Sequence, residues 1–549
     1  MWAQNYDPFS NPVVSTLVAA IPIVVLLGSI AFLKMKAHLA AVLGIVSSLA
    51  IAIFAFHMPA GMASMAAVYG AAYGLMPIGW IILNVIFLYR LTEKRGQFRI
   101  LQESIAGITP DRRLQLLLIA FGFGSFFEGA AGFGTPVAVT GAMLIGLGFS
   151  PLAASGLSLI ANTAPVAYGA LGTPIVALAS VTGLDLLQLS GMIGRQLPFF
   201  SLIVPFWLIC AFAGWRGMVQ VWPAVLVAGV GFAVPQYLVS NFHGPWLVDI
   251  IAAVCSMGAL TAFLRFWKPK TIWRATKRGE PADAEEVVAV SHHGYTSRQV
   301  FNAWMPWLIL SVCVFMCGIP QIKVWLDALF SLKLPIEGLH ELVQKTPPVV
   351  PAVTIEPAVF NFNVLSMSGT GILLSALISA VLLKYSLRET VREYFATLVL
   401  IRFSLLTIGA MLALGYVTRY SGADATLGLA FAHTGWLYPL FGTMLGWLGV
   451  ALTGSDTASN ILFGGLQKVT SEQLGLNPVL MAAANSSGGV MGKMIDAQSI
   501  VVASTATRWY GHESEILRYV FFHSLVLALL VGLLVLGQAY LWPLTLLVY

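Results

Sequence analysis

Charge is what this sequence has least of. Of 549 residues, 9% are Asp, Glu, Lys or Arg, against about 25% in a soluble domain. With 58% hydrophobic residues and a mean hydropathy of +0.85, a soluble globular chain is excluded and a polytopic membrane protein is predicted. The net charge of +6 does not point to nucleic acid, because the basic residues sit in short loops, where they set topology. Cysteine is scarce too. Cys210, Cys255, Cys313 and Cys317 all lie in apolar segments, so they read as reduced packing residues. Cys313 and Cys317 share a helix face without a His or further Cys beside them, and no metal or cofactor is expected. There is no GxxxxGKS/T phosphate loop, which argues against ATP-driven transport. HExxH and GxSxG are also missing and histidines are sparse in the apolar spans, which argues against an intramembrane enzyme. No cleavable signal peptide is evident, since the first apolar run follows the polar WAQNYDPFSNP rather than a basic start.

Within residues 114–184 the only charged residue is Glu128. A carboxylate in so apolar a stretch is expensive and marks a functional site by default. Gly129, Gly132 and Gly134, followed by Pro136, break the helix beside it. Broken helices at membrane depth survive only where the backbone is buried in protein or lines a wet cavity. A second stretch repeats the order of features. Gly-Phe-Ser-Pro at 148–151 matches Gly-Leu-Asn-Pro at 475–478, and Ala161-Asn162-Thr163 matches Ala484-Asn485-Ser486. Paired, interrupted apolar segments in corresponding halves point to a transporter's binding site.

The basic residues set the expected topology. Lys34 and Lys36, then Arg90, Lys94, Arg95, Arg99, Arg112 and Arg113 in loop 90–113, put both loops in the cytoplasm and the N-terminus outside. Loop 267–302 is expected inside, with a solvated acidic patch (Glu280, Asp283, Glu285, Glu286). Segment 321–369, polar and Pro-rich, is expected outside. The resulting division is 1–113 for N-terminal spans and a cytoplasmic loop, 114–196 for the first broken-helix core, and 197–302 for connecting spans. It continues with 303–434 for spans around the outside loop, 435–507 for the second broken-helix core, and 508–549 for a last span that leaves the C-terminus outside. The first core is entered from the cytoplasm and the second from outside, an inverted-topology repeat. The fold class is an all-α polytopic membrane protein of about 12–14 transmembrane segments, re-entrant hairpins included, with two inverted repeats.

Several side chains are candidates for the chemistry. Glu128 reads as a proton carrier, because burial penalises its charged form; the alternative is a hydrogen-bonding partner that locks the glycine-rich break. Asp456, in TGSDTASN, is the only charge from Gly435 to Gln467 and stands at the second break, as a proton-coupling or a structural acid. Lys493 and Asp496 are three apart and can pair on one helix face. Arg402 can snorkel to the surface or clamp a carboxylate. Arg195 opens a span, as an anchor more than as a ligand. Asp424 and His433 lie in a short piece, 419–434, of ambiguous placement. Asn162, Thr163, Asn485, Ser486 and Ser487 are neutral polar groups beside the breaks. With free N–H groups at half-helix N-termini they suit a small anion; hydrogen bonding between helices is the structural alternative.

The runs EGAAGFGTPVA, ANTAPVA, GRQLPF, SNFHGP, TGSDTASN and AANSSGGVMGKMIDAQS, with the opening WAQNYDP, resemble the L-lactate permease family nearly from end to end, apart from the variable loop 270–298. The resemblance implies a bacterial inner-membrane, proton-coupled importer of L-lactate, with D-lactate and glycolate as further substrates. It also implies kinship with ion-transporter folds that carry paired re-entrant hairpins and move substrate by an elevator motion. The expected partners are thus a small 2-hydroxy monocarboxylate, a proton and the lipid bilayer. A sodium-coupled carboxylate carrier is the alternative, and an intramembrane enzyme or a channel is more remote.

Overall fold

The computed structural model describes residues 1–31, 33, 35–130, 132, 134–273, 295–350, 352–509 and 512–549. The acidic patch at 280–286 and the basic residues Lys34, Arg274, Lys277 and Arg278 lie outside them. Among the described residues, seven helices are long and apolar enough to cross a bilayer, such as Trp222–Phe242, Val248–Phe266 and Glu513–Tyr540. Counted as one broken span, the pair Pro151–Ala161 and Val166–Thr182, bent by 64°, brings the number to eight. The expected 12–14 segments therefore include pieces shorter than a full span. The reason is local: glycines at positive φ and prolines cut the central segments into helices of 7–18 residues. The fold is that of an all-α polytopic membrane protein.

Two modules form the centre, each a hairpin followed by a broken helix. The first hairpin pairs Gly124–Ala130 with Thr135–Gly146, with Gly132 and Gly134 between them. A Cβ on Gly124 would lie 3.2 Å from Thr140 Cγ2, so the arms are in close contact. Its broken helix is Pro151–Ala161 followed by Gly169–Thr182. The second hairpin pairs Tyr438–Thr453 with Asp456–Gln473 around Gly454-Ser455, and its broken helix is Pro478–Gly492 followed by Ala497–Ala506.

The turns that join hairpin to broken helix are built alike. Phe149 N–H donates to Leu144 C=O (3.0 Å) and Leu476 N–H to Ser471 C=O (2.8 Å), each closing a helix end across a glycine at positive φ, Gly148 or Gly475. Ser150 and Asn477 then cap the next helix, with Pro151 and Pro478 in its first turn. The two turns have different surroundings. Phe149 sits under the Arg112 guanidinium, 5.4 Å from its ring centre. The second turn meets the C-terminal residue and segment 321–369: Asn477 Nδ2 donates to the Tyr549 carbonyl (2.8 Å) and Gln473 Nε2 to Pro348 C=O (3.0 Å). The two broken helices meet end to start. The end of the second reaches the start of the first, where the Thr507 and Ser155 hydroxyls are 2.9 Å apart.

Segment 321–369 is an ordered cap. Strand Leu332–Pro335 pairs antiparallel with Val359–Phe362, and Val343–Lys345 pairs with Thr354–Glu356 and, in parallel, with the N-terminal strand Trp2–Ala3. Glu356 takes Arg419 (2.8 Å) and Lys345 (3.1 Å), while the Tyr420 and Tyr69 hydroxyls donate to Pro357 and Val359 carbonyls (2.8 Å each). Arg419 belongs to the helix Leu387–Ser421, whose 35 residues span about 52 Å, more than the roughly 30 Å of hydrocarbon. The ambiguous piece 419–434 is thus partly the end of that helix and partly the short helix Ala423–Phe431.

Candidate functional site

The breaks arise from the backbone. Gly132 (φ 58°) and Gly134 (φ 80°) turn the first hairpin tip, and Gly454 (φ 73°) the second, conformations open to glycine without a Cβ penalty. The first broken helix interrupts itself differently. Ala170, Leu171 and Gly172 are all left-handed (φ 43°, 56° and 76°), a strain that only a tightly determined surround sustains. Each tip rests on its own module's break. A Cβ on Gly132 would lie 3.3 Å from Ala170 Cβ, and one on Gly454 3.0 Å from Asp496 Oδ1.

A cavity of about 250 Å³ opens where the two breaks meet. It is lined by Glu128, Gly132, Gly169, Ala170 and Thr173 from the first module and by Gly454, Ser455, Asp456, Thr457, Lys493 and Gln498 from the second. The side wall is His38, stacked on Phe403 at 4.5 Å, with Ser404, Thr407 and Met411.

Glu128 is buried, and its Oε2 has no hydrogen-bond partner among the described residues. Its Oε1 abuts the backbone of Gly169, where a Cβ would come within 2.5 Å. Asp456 accepts from Ser486 Oγ (2.5 Å) and Asn460 Nδ2 (3.3 Å). Lys493 Nζ donates to Gly454 C=O (2.6 Å) and lies 3.3 Å from Asp496 Oδ2. Asp496 Oδ1 in turn accepts from Ser499 N–H (2.7 Å), capping Ala497–Ala506. One clasp therefore joins the second tip, the second break and the next helix start.

The sequence candidates divide. Glu128, Asp456 and Lys493 come together at the cavity, and Asp496 stands behind Lys493. Ser486 supports Asp456 directly. Asn485 lies one layer further out, donating to Asn460 Oδ1 (2.9 Å) and accepting from Gln467 Nε2 (3.1 Å). Ser487 is buried with its hydroxyl unpartnered among the described residues. Asn162 is buried beside the Glu128 carboxyl, at a geometry short of a hydrogen bond, and Thr163 Oγ1 is satisfied by Ile160 C=O (2.8 Å). The pairing of Asn162 with Asn485 does not hold in space. The first helix of the first break has 11 residues and that of the second 15, so Asn162 ends its helix while Asn485 lies inside one.

Arg402 does not reach the cavity. It is exposed, with its guanidinium 4.8 Å from the centre of the Phe403 ring, because the phase of its helix turns Ser404 and Thr407 inward instead. Arg195 is an anchor: it donates to Asn241 Oδ1 (2.9 Å) and Leu547 C=O (3.1 Å) and stacks 3.8 Å from the Tyr549 ring centre. Thr173, Ser455, Thr457, Gln498 and His38 were not singled out in the sequence, since hydroxyls and amides carry no signal until the breaks are brought together. Asp249 was also missed, although a carboxylate in the first turn of a span satisfies the same rule as Glu128.

The arrangement offers one ammonium, two carboxyls, several hydroxyls and the N-termini of Asp456–Gln473 and Ala497–Ala506 around a small volume, groups fit to hold a small anion. The sequence profile of the L-lactate permease family matches residues 15–542. The chain is 48% identical to glycolate permease GlcA of Escherichia coli K12, over 98% of each chain. It is 45% identical to the L-lactate permease of the same strain, again over 98% of each. The L-lactate permease of Bacillus subtilis 168 is 44% identical, over 96% of this chain and 97% of that one. Matched along nearly its whole length, this chain belongs to the L-lactate permease family and is a multi-pass membrane transporter, not an enzyme.

Proposed function

We propose that this transporter imports 2-hydroxy monocarboxylates (L-lactate, with D-lactate and glycolate) across the bacterial inner membrane by proton symport. The observation that carries the reading is the cavity in which Glu128 and Asp456, from two separate helix breaks, face Lys493. The names of the relatives, glycolate permease and L-lactate permease, support the substrate class. The substrate carboxylate meets Lys493 Nζ and the free N–H groups at the starts of Asp456–Gln473 and Ala497–Ala506. Its hydroxyl meets Thr173, Ser455 or Thr457. Glu128 carries the coupled proton, so that an anion and a proton cross as a neutral sum; Asp456 is the second candidate for that proton. A volume of about 250 Å³, below the roughly 300–1,000 Å³ typical of drug-sized ligands, suits so small an acid.

The two modules act as an inverted repeat whose breaks open the cavity alternately to either side. The cap and both termini lie outside, and Arg90 to Arg113 inside, as the positive-inside rule requires. Cysteines at positions 100 and 340 then label from opposite sides of the membrane; labelling from one side ends this topology. The coupling is tested with purified protein in proteoliposomes under a pH gradient, interior alkaline. Accumulation of radiolabelled L-lactate that a protonophore collapses is the expected result. Uptake that instead requires added sodium moves the coupling to a cation.

A further inference from the structure

Asp249 stands in the first turn of Val248–Phe266 and is 1% exposed. Neither of its oxygens has a hydrogen-bond partner among the described residues. Acids at helix starts usually accept backbone N–H bonds, yet here Leu247 precedes the helix and no side chain caps it. Helix capping therefore does not account for this carboxyl.

Its neighbourhood is specific. The helix passes directly beside the first hairpin, and a Cβ on Gly129 would lie 2.7 Å from Asp249 Cβ. Glycine at 129 allows that approach, and the preceding residue is Glu128. The two carboxyls, from different elements, are thus near enough for the charge of one to act on the other. The other titratable groups near Asp249 are few. Tyr168, from the first break, is committed to the Ser190 carbonyl (2.7 Å). On Trp222–Phe242, Tyr237 is 39% exposed; His243, just past its end, packs edge-on to Trp246, ring centres 6.1 Å apart. The flanking segments Leu117–Phe123 and Gly169–Thr182 contain no titratable side chain.

We propose that Asp249 is a second proton-holding carboxyl, in series with Glu128, which receives the coupled proton from the side of residues 243–247 and passes it on. The step is a proton transfer: the O–H bond breaks at Asp249 and forms at Glu128, and the transported acid is unchanged. This rests on the symport reading of Glu128. It adds that the proton does not reach Glu128 through the substrate cavity, which Asp249 does not line.

The test uses the full-length transporter in proteoliposomes with three readouts: lactate accumulation under a pH gradient, proton influx reported by an internal pH dye, and exchange of labelled for unlabelled lactate at equal pH. Asp249→Asn is expected to keep exchange while accumulation and proton influx are lost, and Asp249→Glu to restore both. Wild-type accumulation and influx in Asp249→Asn overturn the proposal. So does loss of exchange together with accumulation in both variants when they unfold at the wild-type temperature, since that marks a role in moving the substrate itself rather than the proton. If Glu128→Gln loses accumulation and Asp249→Asn does not, this inference alone fails; if the wild type does not accumulate lactate under a pH gradient, the symport reading fails first.

Discussion

In the first module Glu128 stands between Phe127 and Gly129 with one oxygen unpartnered among the described residues, and its break, 162–168, holds no charge. In the second, Asp456 also keeps one oxygen, Oδ1, unpartnered among the described residues, but its Oδ2 accepts from Ser486 and Asn460, and the break is closed by the Lys493–Asp496 pair. The backbone plan is shared down to the capped turns, yet one break is nearly free of polar partners and the other is a polar network. A repeated scaffold can therefore divide its labour. On the proposed function, Glu128 handles the proton and the polar clasp holds the substrate.

That division can be broken in order of effect. Lys493→Met leaves Asp496 buried without its cation. Removing one partner of a buried pair costs about 3–5 kcal/mol, so a large drop in the detergent unfolding temperature and loss of lactate uptake are expected; near-normal uptake removes Lys493 from the substrate's path. Glu128→Gln is expected to abolish proton-driven accumulation while labelled lactate still exchanges at equal pH. Unchanged accumulation transfers the proton to Asp456.

A matched pair sharpens the contrast. Gly169→Ala brings a methyl within 2.5 Å of Glu128 Oε1, and Gly489→Ala within 2.4 Å of Asp456 Oδ1. The first is expected to disturb proton coupling more than KM, the second KM more than coupling; identical profiles would mean the modules share both tasks.

The cap gives a smaller, pH-dependent effect, because Arg419 bonds both Glu356 and the Ser180 carbonyl (3.0 Å) of the first module's broken helix. Burial works against the Glu356 carboxylate, but the Arg419 and Lys345 charges outweigh it and hold the group below the usual carboxylate range. A depressed value contributes stability above the unfolded-state pKa of about 4.3, and that stability is lost as pH falls through the folded-state value. Acidification should therefore loosen the cap, read as faster labelling of a cysteine at position 340, and Glu356→Gln should remove the dependence. Smallest of all, Arg402→Lys should leave uptake unchanged, since its guanidinium faces away from the cavity; weakened uptake would restore the carboxylate clamp.

The sequence made some of this visible for physical reasons. A single charge in an apolar run is costly enough to announce itself, so Glu128, Asp456 and Lys493 stood out. Glycine and proline marked both tips, and the Gly-Phe-Ser-Pro and Gly-Leu-Asn-Pro turns could be matched by letter. Arg402 could not be placed, because its direction depends on the phase of one long helix. Asn162 and Asn485 aligned by letter, but helices of different length put them at different depths. Arg195 finds its partners at Asn241 and Leu547, and strands of three or four residues in the cap owe their pairing to tertiary contacts rather than to propensity.

The parallel pairing of Trp2 with Val343 also sets a schedule for biogenesis. The first strand leaves the ribosome long before its partner exists. At about 5–20 residues per second, it waits roughly 17–70 s with its backbone groups unpaired. Closure of the cap is therefore a late event in synthesis, and chains released before residue 343 expose an open edge by which quality control can recognise them.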